Sequence, residues 1–206
     1  MSGIDKRAQL VAAADSLARG PGFTRSSLAD IAAAADVPVG NVYYWFKTKR
    51  ELGEALVEQR AGHYRALREE WDRTLPPLRR VGAFIDMVAA NRDALAAQGC
   101  PIGSLCTELR RHDAALAARA GVMLGDFLAW LEAQFRALGH GRASSGLARH
   151  TLSVLQGASL LSHALDDPSH VAAEARRLKR WLADVSAGVA PAGRRGRPLR
   201  GAAATD

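Results

Sequence analysis

The chain has 206 residues, of which 48% are hydrophobic and 6% aromatic, with two cysteines and a formal net charge of +7. This length allows one or two domains with a sizeable core, and two cysteines are too few for a disulfide framework or a zinc-ligand set. The sequence shows no run of eighteen apolar residues and no N-terminal apolar signal region, so we expect a cytoplasmic protein without a membrane partner.

The first two predicted helices lie close together. Apolar residues recur at helical spacing from residue 4 to Ala18, and the glycines and proline at residues 20–22 end that pattern. Ser27 and Asp30 then have the spacing of a capping box, in which a hydroxyl and a carboxylate satisfy free amides at a helix start. A second helix is therefore predicted to begin near Leu28.

A tight turn separates this second helix from a third. Asp36 and Val37 interrupt the helical pattern, and Pro38 suits the first turn of a new helix because it has no amide hydrogen to donate. The chain thus turns and restarts within about three residues, with the next helix predicted over residues 39–46. This arrangement predicts a helix-turn-helix motif.

The third predicted helix carries residue types that suit contact with nucleic acid. Gly40 permits close approach of the backbone to a phosphate, Asn41 can bond an adenine edge, and Tyr43 can offer its hydroxyl to a phosphate. In the alternative interpretation Val42, Tyr44 and Phe46 are core residues and the neighbouring lysines form a solvated face. The helical spacing of Val42 and Phe46 favours core packing for those two.

A second capping-box spacing follows the third helix. Thr48 and Glu51 predict a fourth helix that begins near Lys49. Lys47 and Lys49 lie beside that helix start, where both can neutralise phosphate charge.

The stretch GFTRSSLADIAAAADVPVGNVYYWFKTKREL, about a quarter of the chain with its flanks, resembles the DNA-binding domain of the TetR family of transcriptional regulators. In that family a run like G-V-x-x-G-x-L-Y-x-H-F passes through the recognition helix, and a lysine stands at the next helix start. Gly40, Tyr43, Phe46 and Lys49 match this pattern. The resemblance implies a DNA-binding domain that contacts double-stranded DNA.

The resemblance also implies roles for individual side chains. Ser26 and Ser27 fall where the family contacts phosphate, and Val39, Asn41 and Trp45 occupy positions that touch bases or backbone. Together with the residue types, this predicts nine DNA-binding residues: Ser26, Ser27, Val39, Gly40, Asn41, Tyr43, Trp45, Lys47 and Lys49.

Three positions depart from the family pattern. Asp36 replaces the usual glycine of the turn, Pro38 replaces a frequent polar residue, and Trp45 stands where histidine is common. We expect the turn to be kept, because aspartate tolerates left-handed backbone angles.

The rest of the chain predicts helices, since alternating β-branched runs are missing and alanine, leucine, arginine and glutamate prevail. The predicted helices cover residues 49–74, 78–97, 104–111, 113–138, 147–165 and 171–185. The fold class is therefore all-α with about nine helices, and the later ones resemble the ligand-binding and dimerisation domain of TetR regulators. The predicted boundaries are 1–48 for the helix-turn-helix domain, 49–188 for the ligand-binding and dimerisation domain, and 189–206 for a disordered basic tail.

The family resemblance implies a homodimer in which the last two long helices of each subunit form a four-helix bundle. Leu160 and His163, with small Gly157 and Ala158, support this because their helix would otherwise expose much apolar area. Simple intrachain core is the alternative. A two-fold dimer would read a pseudopalindromic operator, since one recognition helix covers only a few base pairs.

TetR-like proteins generally release DNA when a small molecule enters the body domain and favours a state that cannot bind DNA. Candidate ligand contacts combine apolar area, adaptability and a few polar groups, although ordinary core packing is the alternative. These candidates are Phe84, Met87, Cys106, Met123, Phe127 and Trp130. The sequence pattern identifies no particular effector.

Residues 99–108 resemble a G-C-x-x-G-x-L motif found in a subset of TetR proteins. Cys100 lies just before a predicted helix start, where the positive helix end favours a thiolate, and Arg110 and Arg111 lie near Cys106. One hypothesis is that Cys100 and Cys106 respond to oxidants or electrophiles. The alternative is that both are buried structural cysteines.

The positive charge is not concentrated in the predicted DNA-binding domain. Residues 1–60 carry 8 basic and 7 acidic side chains, whereas residues 191–206 carry 4 basic and 1 acidic. Within the latter, residues 193–200 resemble an AT-hook, whose R-G-R-P core enters an AT-rich minor groove. The alternative is a disordered basic tail that aids solubility or nonspecific attachment.

Enzyme motifs are missing from the sequence. The six histidines are spread out, with no H-E-x-x-H, no G-x-S-x-G and no phosphate-binding glycine loop, so we expect no catalysis, metal or cofactor. The predicted function is a TetR-like regulator, a repressor released by a small-molecule signal. Two rival hypotheses are an architectural DNA-binding protein without sequence preference and a ligand-binding module that has lost DNA binding through Asp36 and Trp45.

Overall fold

The computed structural model describes residues 3–188. Within that range the chain is helical with no strand, which confirms the all-α prediction. The tail, with the AT-hook-like residues 193–200, lies outside the described residues. The helices are α1 Gly3–Arg19, α2 Leu28–Ala34, α3 Val39–Trp45, α4 Lys49–Thr74, α5 Pro77–Ala90, α6 Arg92–Gln98, α7 Pro101–Arg110, α8 Ala114–Ala137, α9 Ser144–Leu165 and α10 Ser169–Ser186, with a short 3-10 turn over Gly141–Ala143.

Local hydrogen bonds explain where the early helices start. The Ser27 hydroxyl accepts from the Asp30 amide at 3.1 Å, and the Asp30 carboxylate accepts from the Ser27 amide at 2.7 Å. The Thr48 hydroxyl accepts from the Glu51 amide at 3.1 Å. Asp36 has a φ of 51°, the left-handed angle expected for the turn. These contacts confirm the predicted starts of α2 and α4 and the tight turn between α2 and α3.

The helix expected over residues 78–97 is two helices. Asn91 leaves the helical angles at the end of α5, and its side-chain amide donates to the Met87 carbonyl at 2.8 Å. An asparagine that bonds the backbone in this way competes with helix continuation. The following helix, α7, begins at Pro101, earlier than the expected residue 104, because proline suits the first helical position.

Helix α8 lies at the centre of the body. By length and apolar composition alone it could cross a membrane, but here it packs against α4, α5, α7 and α9. Its inward side chains fill the protein core, as expected for the central helix of a bundle. They include Leu116, Ala120, Met123, Phe127, Leu131 and Phe135.

The core of the first three helices continues into the core of the body. Leu52 and Leu56 on α4 are fully buried and belong to the same apolar cluster as Leu10 on α1 and Phe127 on α8. Helix α4 therefore contacts both regions, because it packs against α1 and against α8. A movement of the body against α4 would consequently reach the helix-turn-helix.

Candidate functional site

Helix α3 divides into a buried side and an exposed side. Val42 and Phe46 are buried, which confirms that these two belong to the core. Val39, Tyr43 and Tyr44 are 46%, 51% and 73% exposed. Exposed large side chains grouped on one short helix are typical of surfaces that bind another molecule.

Gly40 leaves an opening on the exposed side of α3. A Cβ atom built at Gly40 would meet no heavy atom within 4 Å, and its φ lies outside the left-handed region. Neither the backbone angle nor packing within the described chain therefore requires glycine here. Asn41 beside it is also exposed, so the start of α3 presents open backbone and a polar side chain that can bond a base edge.

Tyr44 is the functional candidate that sequence reasoning missed. It lies three residues after Asn41 and therefore on the same helix face. Its ring meets the ring of Trp45 edge-on, with centroids 4.8 Å apart. Trp45 itself is half-buried and packs against the core, so only part of its ring is free for the predicted DNA contact. The signal for Tyr44 was its spacing from Asn41.

The two serines predicted to hold phosphate are placed differently. Ser26 is 4% exposed, and its hydroxyl donates to the Gly22 carbonyl at 2.8 Å. This corrects the predicted phosphate contact of the Ser26 side chain, because the hydroxyl already closes a turn. Ser27 is exposed, and its hydroxyl caps α2 and donates to Asp30 at 2.8 Å. The Ser27 backbone amide and hydroxyl together hold the pKa of Asp30 below its usual range.

The two predicted lysines also differ. Lys47 is exposed, and its ammonium donates to the Tyr43 carbonyl at 2.8 Å, at the C-terminal end of α3. The Lys49 ammonium turns inward, donates to the Thr24 carbonyl at 2.7 Å and lies 5.1 Å from the centre of the Phe23 ring. Burial lowers the pKa of Lys49, while Glu108 and then Asp30 act in the opposite direction. Lys49 therefore ties the start of α4 to the loop before α2.

A cavity of about 200 Å³ lies among the helices of the body, and Arg19 of α1 also lines it. Phe84, Met87 and Phe127, three of the predicted ligand contacts, line it. The Phe127 ring centre is 4.9 Å from that of Phe84 and 5.4 Å from that of Tyr64. Apolar walls of this kind suit a small aromatic or aliphatic molecule.

The other three predicted ligand contacts lie elsewhere, which corrects that part of the prediction. Met123 is buried in the core, Trp130 donates its indole N–H to the Asp72 carboxylate at 3.1 Å, and Cys106 lies outside the cavity lining. Helical spacing alone did not separate core residues from cavity residues.

The polar part of the cavity lining was missed in the sequence. No carboxylate of the described residues lines the cavity, so its charged and titratable groups are basic or weakly acidic. Burial raises the pKa of Tyr64, which keeps its hydroxyl protonated. These polar lining residues come from four different helices and from the break between α5 and α6, which is why no local motif indicated them. They are Arg19, His63, Tyr64, Asn91, Gln98, Gln156 and Ser159.

The two cysteines have different surroundings. Cys100 stands at the start of α7, as predicted; its sulfur accepts from the Gly103 amide at 3.4 Å and the residue lines the cavity. Burial raises the pKa of the Cys106 thiol, with a further contribution from Cys100, against the weaker effect of Arg60. A raised pKa reduces the thiolate fraction, so the expected help from Arg110 and Arg111 is not what governs Cys106.

Helix α9 carries a second exposed apolar surface, formed by three leucines near its C-terminal end. Leu160, Leu161 and Leu165 are 67%, 50% and 60% exposed. Ala158, in contrast, packs into the intrachain core, and His163 bonds the Ala96 carbonyl at 2.8 Å. The interior side of α9 thus follows the intrachain alternative, while its leucine surface remains uncovered in the single chain.

In a comparison with known proteins, residues 10–56 match the model of the family described as bacterial regulatory proteins, tetR family. The chain is 36% identical over 90 residues to the HTH-type transcriptional repressor DhaR of Mycobacterium sp. strain GP1, over 43% of this chain and 44% of DhaR. It is 29% identical over 101 residues to the HTH-type transcriptional repressor NemR of Escherichia coli K12, over 49% and 48% of the two chains. The chain spans about half the length of these curated relatives.

Solved structures extend the likeness of fold to nearly the whole chain. A TetR-family transcriptional regulator from Agrobacterium tumefaciens superposes with a TM-score of 0.77 at 21% identity, covering 87% of this chain and 98% of that one. The reduced form of E. coli NemR gives a TM-score of 0.71 at 20% identity, covering 85% and 96%. Identities this low show a shared fold. In this fold a helix-turn-helix head, formed here by α1, α2 and α3, is followed by a helical body, formed here by the helices from α4 onward.

Proposed function

We propose that this chain is a transcriptional regulator of the TetR family that binds a pseudopalindromic double-stranded DNA operator as a homodimer and represses transcription from it. The observation that carries the proposal is the exposed side of α3, where Asn41, Tyr43 and Tyr44 stand in water at the surface of a helix-turn-helix. Its curated relatives are named as transcriptional repressors, so we place the chain among cytoplasmic regulators and not among enzymes.

The α3 surface supports a division of roles. Val39, Asn41 and the free part of Trp45 would meet base edges, because they lie on the exposed side of the recognition helix. The Tyr43 hydroxyl and the Lys47 ammonium would meet phosphates, with Gly40 allowing close approach of the backbone. The exposed Ser27 and the start of α4 at Lys49 flank this surface, and Lys49 would contact phosphate only through the donors left after its bond to Thr24.

A homodimer is supported by the leucine surface of α9. Leu160, Leu161 and Leu165 expose enough apolar area to favour association, since burying one leucine contributes roughly 1.5–3 kcal/mol. Helix α10 packs beside α9, so two copies meeting at this surface would form a bundle of four helices. The two recognition helices would then address two half-sites.

The cavity supports a small-molecule signal. Its volume of about 200 Å³, its aromatic walls and its basic and amide groups suit a small apolar effector with a neutral or anionic polar group. We include an electrophile signal at Cys100, because a group added to its sulfur would occupy the same cavity as an effector. The domain boundaries proposed are 1–48 for DNA binding and 49–188 for ligand binding and dimerisation.

The decisive experiment is selection of DNA by the purified protein from a random pool, followed by footprinting. A single protected pseudopalindrome with two half-sites would support the proposal. Protection spread evenly over long DNA would instead favour an architectural protein, and no retained DNA would favour a ligand-binding module.

A matched test of the electrophile signal compares Cys100→Ser with Cys106→Ser after iodoacetamide treatment. We expect that iodoacetamide no longer releases the operator from the Cys100 variant, whereas it still releases it from the Cys106 variant.

A further inference from the structure

Helix α7 connects the cavity to the head of the molecule. Its first turn lines the cavity through Cys100, Pro101 and Ile102. Two turns later the same helix carries Glu108, which is half-buried and reaches the loop between α1 and α2. One short helix therefore touches the cavity at one end and the helix-turn-helix domain at the other.

The contact at the head end consists of three hydrogen bonds to one carboxylate. Glu108 Oε1 accepts from the Thr24 amide at 2.6 Å and from the Thr24 hydroxyl at 2.5 Å, and Oε2 accepts from the Phe23 amide at 3.2 Å. Hydrogen bonds to an ionised acceptor are roughly twice as strong as neutral ones. Thr24, the last residue that these bonds hold, lies three residues before Ser27, the N-cap of α2.

The loop is shaped to let the carboxylate approach. Gly22 has a φ of 105°, and a Cβ atom built there would lie 2.8 Å from Glu108 Oε1. Any larger residue at Gly22 would push the carboxylate away, in a backbone conformation that already favours glycine. On the other side of the loop the Thr24 carbonyl accepts from the Lys49 ammonium at 2.7 Å. Thr24 is thus held between α7 and the start of α4.

A second tie joins the cavity end of α7 to α1. Arg60 on α4 is buried, and its guanidinium donates to the Asp15 carboxylate on α1 and to the Pro101 carbonyl on α7. A shift of the first turn of α7 would therefore disturb the bond of Arg60 to Pro101 at the start of α7. It would also disturb the bonds of Glu108 near the end of α7. Packed interfaces of this kind tend to switch between discrete arrangements.

We infer that Glu108 is the positioning residue through which the cavity controls the DNA-binding head. A molecule that fills the cavity displaces α7, and the Glu108 carboxylate carries that displacement to Phe23, Thr24 and the helix-turn-helix behind them. The inference rests on the proposed operator binding and adds the residue that couples it to the cavity. If the bonds of Glu108 had only a structural role, they would stabilise the loop to the same extent whether the cavity is empty or filled.

The test fills the cavity by substitution, because it needs no identified effector. Val88 lines the cavity from α5 and is remote in sequence from both α7 and the loop, so Val88→Phe stands in for a bound molecule. In the otherwise unchanged full-length protein we expect it to speed hydrogen exchange at the Phe23 and Thr24 amides about tenfold and to weaken operator binding about tenfold. The two readouts are independent, since the exchange measurement uses no DNA.

The coupling is then measured as a double-mutant cycle with Glu108→Ala. If Glu108 transmits the signal, Val88→Phe should change operator affinity less than about twofold in the Glu108→Ala background. Glu108→Gln, which keeps one acceptor oxygen, should restore part of the coupling. Thr24→Val removes only the hydroxyl donor and serves if Glu108→Ala fails to fold. The control is Glu132→Ala, at a residue on α8 that pairs with Arg136. In this background Val88→Phe should still weaken operator binding about tenfold.

Two results would overturn the inference. One is an equal loss of operator affinity on Val88→Phe with and without Glu108, and the other is unchanged exchange at the Phe23 and Thr24 amides. Failure of the proposed function is separate from both: it is a wild-type protein that selects no operator. In that case amide exchange still decides whether the cavity reaches the head.

Discussion

The α3 surface and the body cavity are built in opposite ways. The α3 surface comes from seven consecutive residues on one helix, and its exposed side chains depend little on the rest of the fold. The cavity is lined by residues from α1 to α9, including Arg19 at one end of the chain order and Ser159 at the other. A local surface can change its specificity without changing stability, whereas a cavity made of distant parts cannot be altered without touching the core.

The same contrast explains why Glu108 matters. Because the α3 surface is formed by neighbouring residues on one helix, separate contacts are needed for it to respond when a molecule fills the cavity. The bonds from Glu108 to Phe23 and Thr24 supply such contacts, because they join a cavity-lining helix to a loop of the head. Recognition and response are thus carried by different residues, and substitutions should separate them.

The largest expected effect is on stability, from Phe127→Ala. Phe127 is buried against Phe84 and Tyr64, and the Arg68 guanidinium lies 4.9 Å from its ring centre. Its loss should lower the free energy of unfolding by about 3–5 kcal/mol, measured by urea denaturation. The matched control is Tyr44→Ala, another aromatic truncation but at an exposed site, which should change it by less than about 0.5 kcal/mol. Similar losses in both variants would end the contrast between the two regions.

A second prediction concerns the leucine surface of α9. The double variant Leu161→Glu/Leu165→Glu should convert a dimer into a monomer in light scattering, because four carboxylates would meet across the two-fold axis. Operator affinity should fall on the order of 100-fold or more, since two linked heads bind far more tightly than one. Val122→Glu on α8, also at an exposed apolar residue, should leave the dimer intact. A wild-type monomer at micromolar concentration would contradict the dimer.

A third prediction separates base contacts from phosphate contacts on α3. Asn41→Ala should weaken binding to the best operator by about 1–3 kcal/mol and relax the preference at one base pair, as expected for loss of a bidentate base contact. Tyr43→Phe removes a predicted phosphate contact, so it should weaken binding by the same factor for every operator sequence. Binding to a panel of single-base operator variants distinguishes the two patterns. An equal loss across the panel for Asn41→Ala would assign Asn41 to the backbone.

The head was readable from the sequence because its signals are local. Capping residues Ser27 and Thr48, the turn at Asp36 and the core positions Val42 and Phe46 each follow from spacing within a few residues. The division between α5 and α6 was not readable, since Asn91 has no composition signal that distinguishes a helix break from an exposed polar residue. The inward rotation of Ser26 and Lys49 depends on the Gly22 and Thr24 carbonyls, which only the folded loop presents to them.

The cavity was less readable for the same physical reason. Phe84, Met87 and Phe127 were found because large adaptable side chains often line pockets. Whether Met123 faces the cavity or the core is decided by a rotation of α8 that periodicity does not fix. The role of Glu108 was not predicted, because its partners Phe23 and Thr24 lie 85 and 84 residues away in the sequence.

The smallest predicted effect concerns the cap of α2. Ser27→Ala should lower the free energy of unfolding by about 1 kcal/mol at neutral pH, the usual cost of losing an N-cap hydroxyl. Part of that difference should disappear in acid, because the Ser27 hydroxyl also donates to Asp30. The folded-state pKa of Asp30 is lowered, so its contribution is complete above the ordinary carboxyl pKa and is lost as the pH falls through the lowered value.

Urea denaturation of wild type and Ser27→Ala at neutral and acid pH measures this change. The control is Ser153→Ala, at an exposed position inside α9, which should cost nothing because alanine is favoured within helices. If the difference between wild type and Ser27→Ala is the same at both pH values, the hydroxyl acts only as an acceptor for the Asp30 amide. The local character of the head would still stand, because both bonds lie within four consecutive residues.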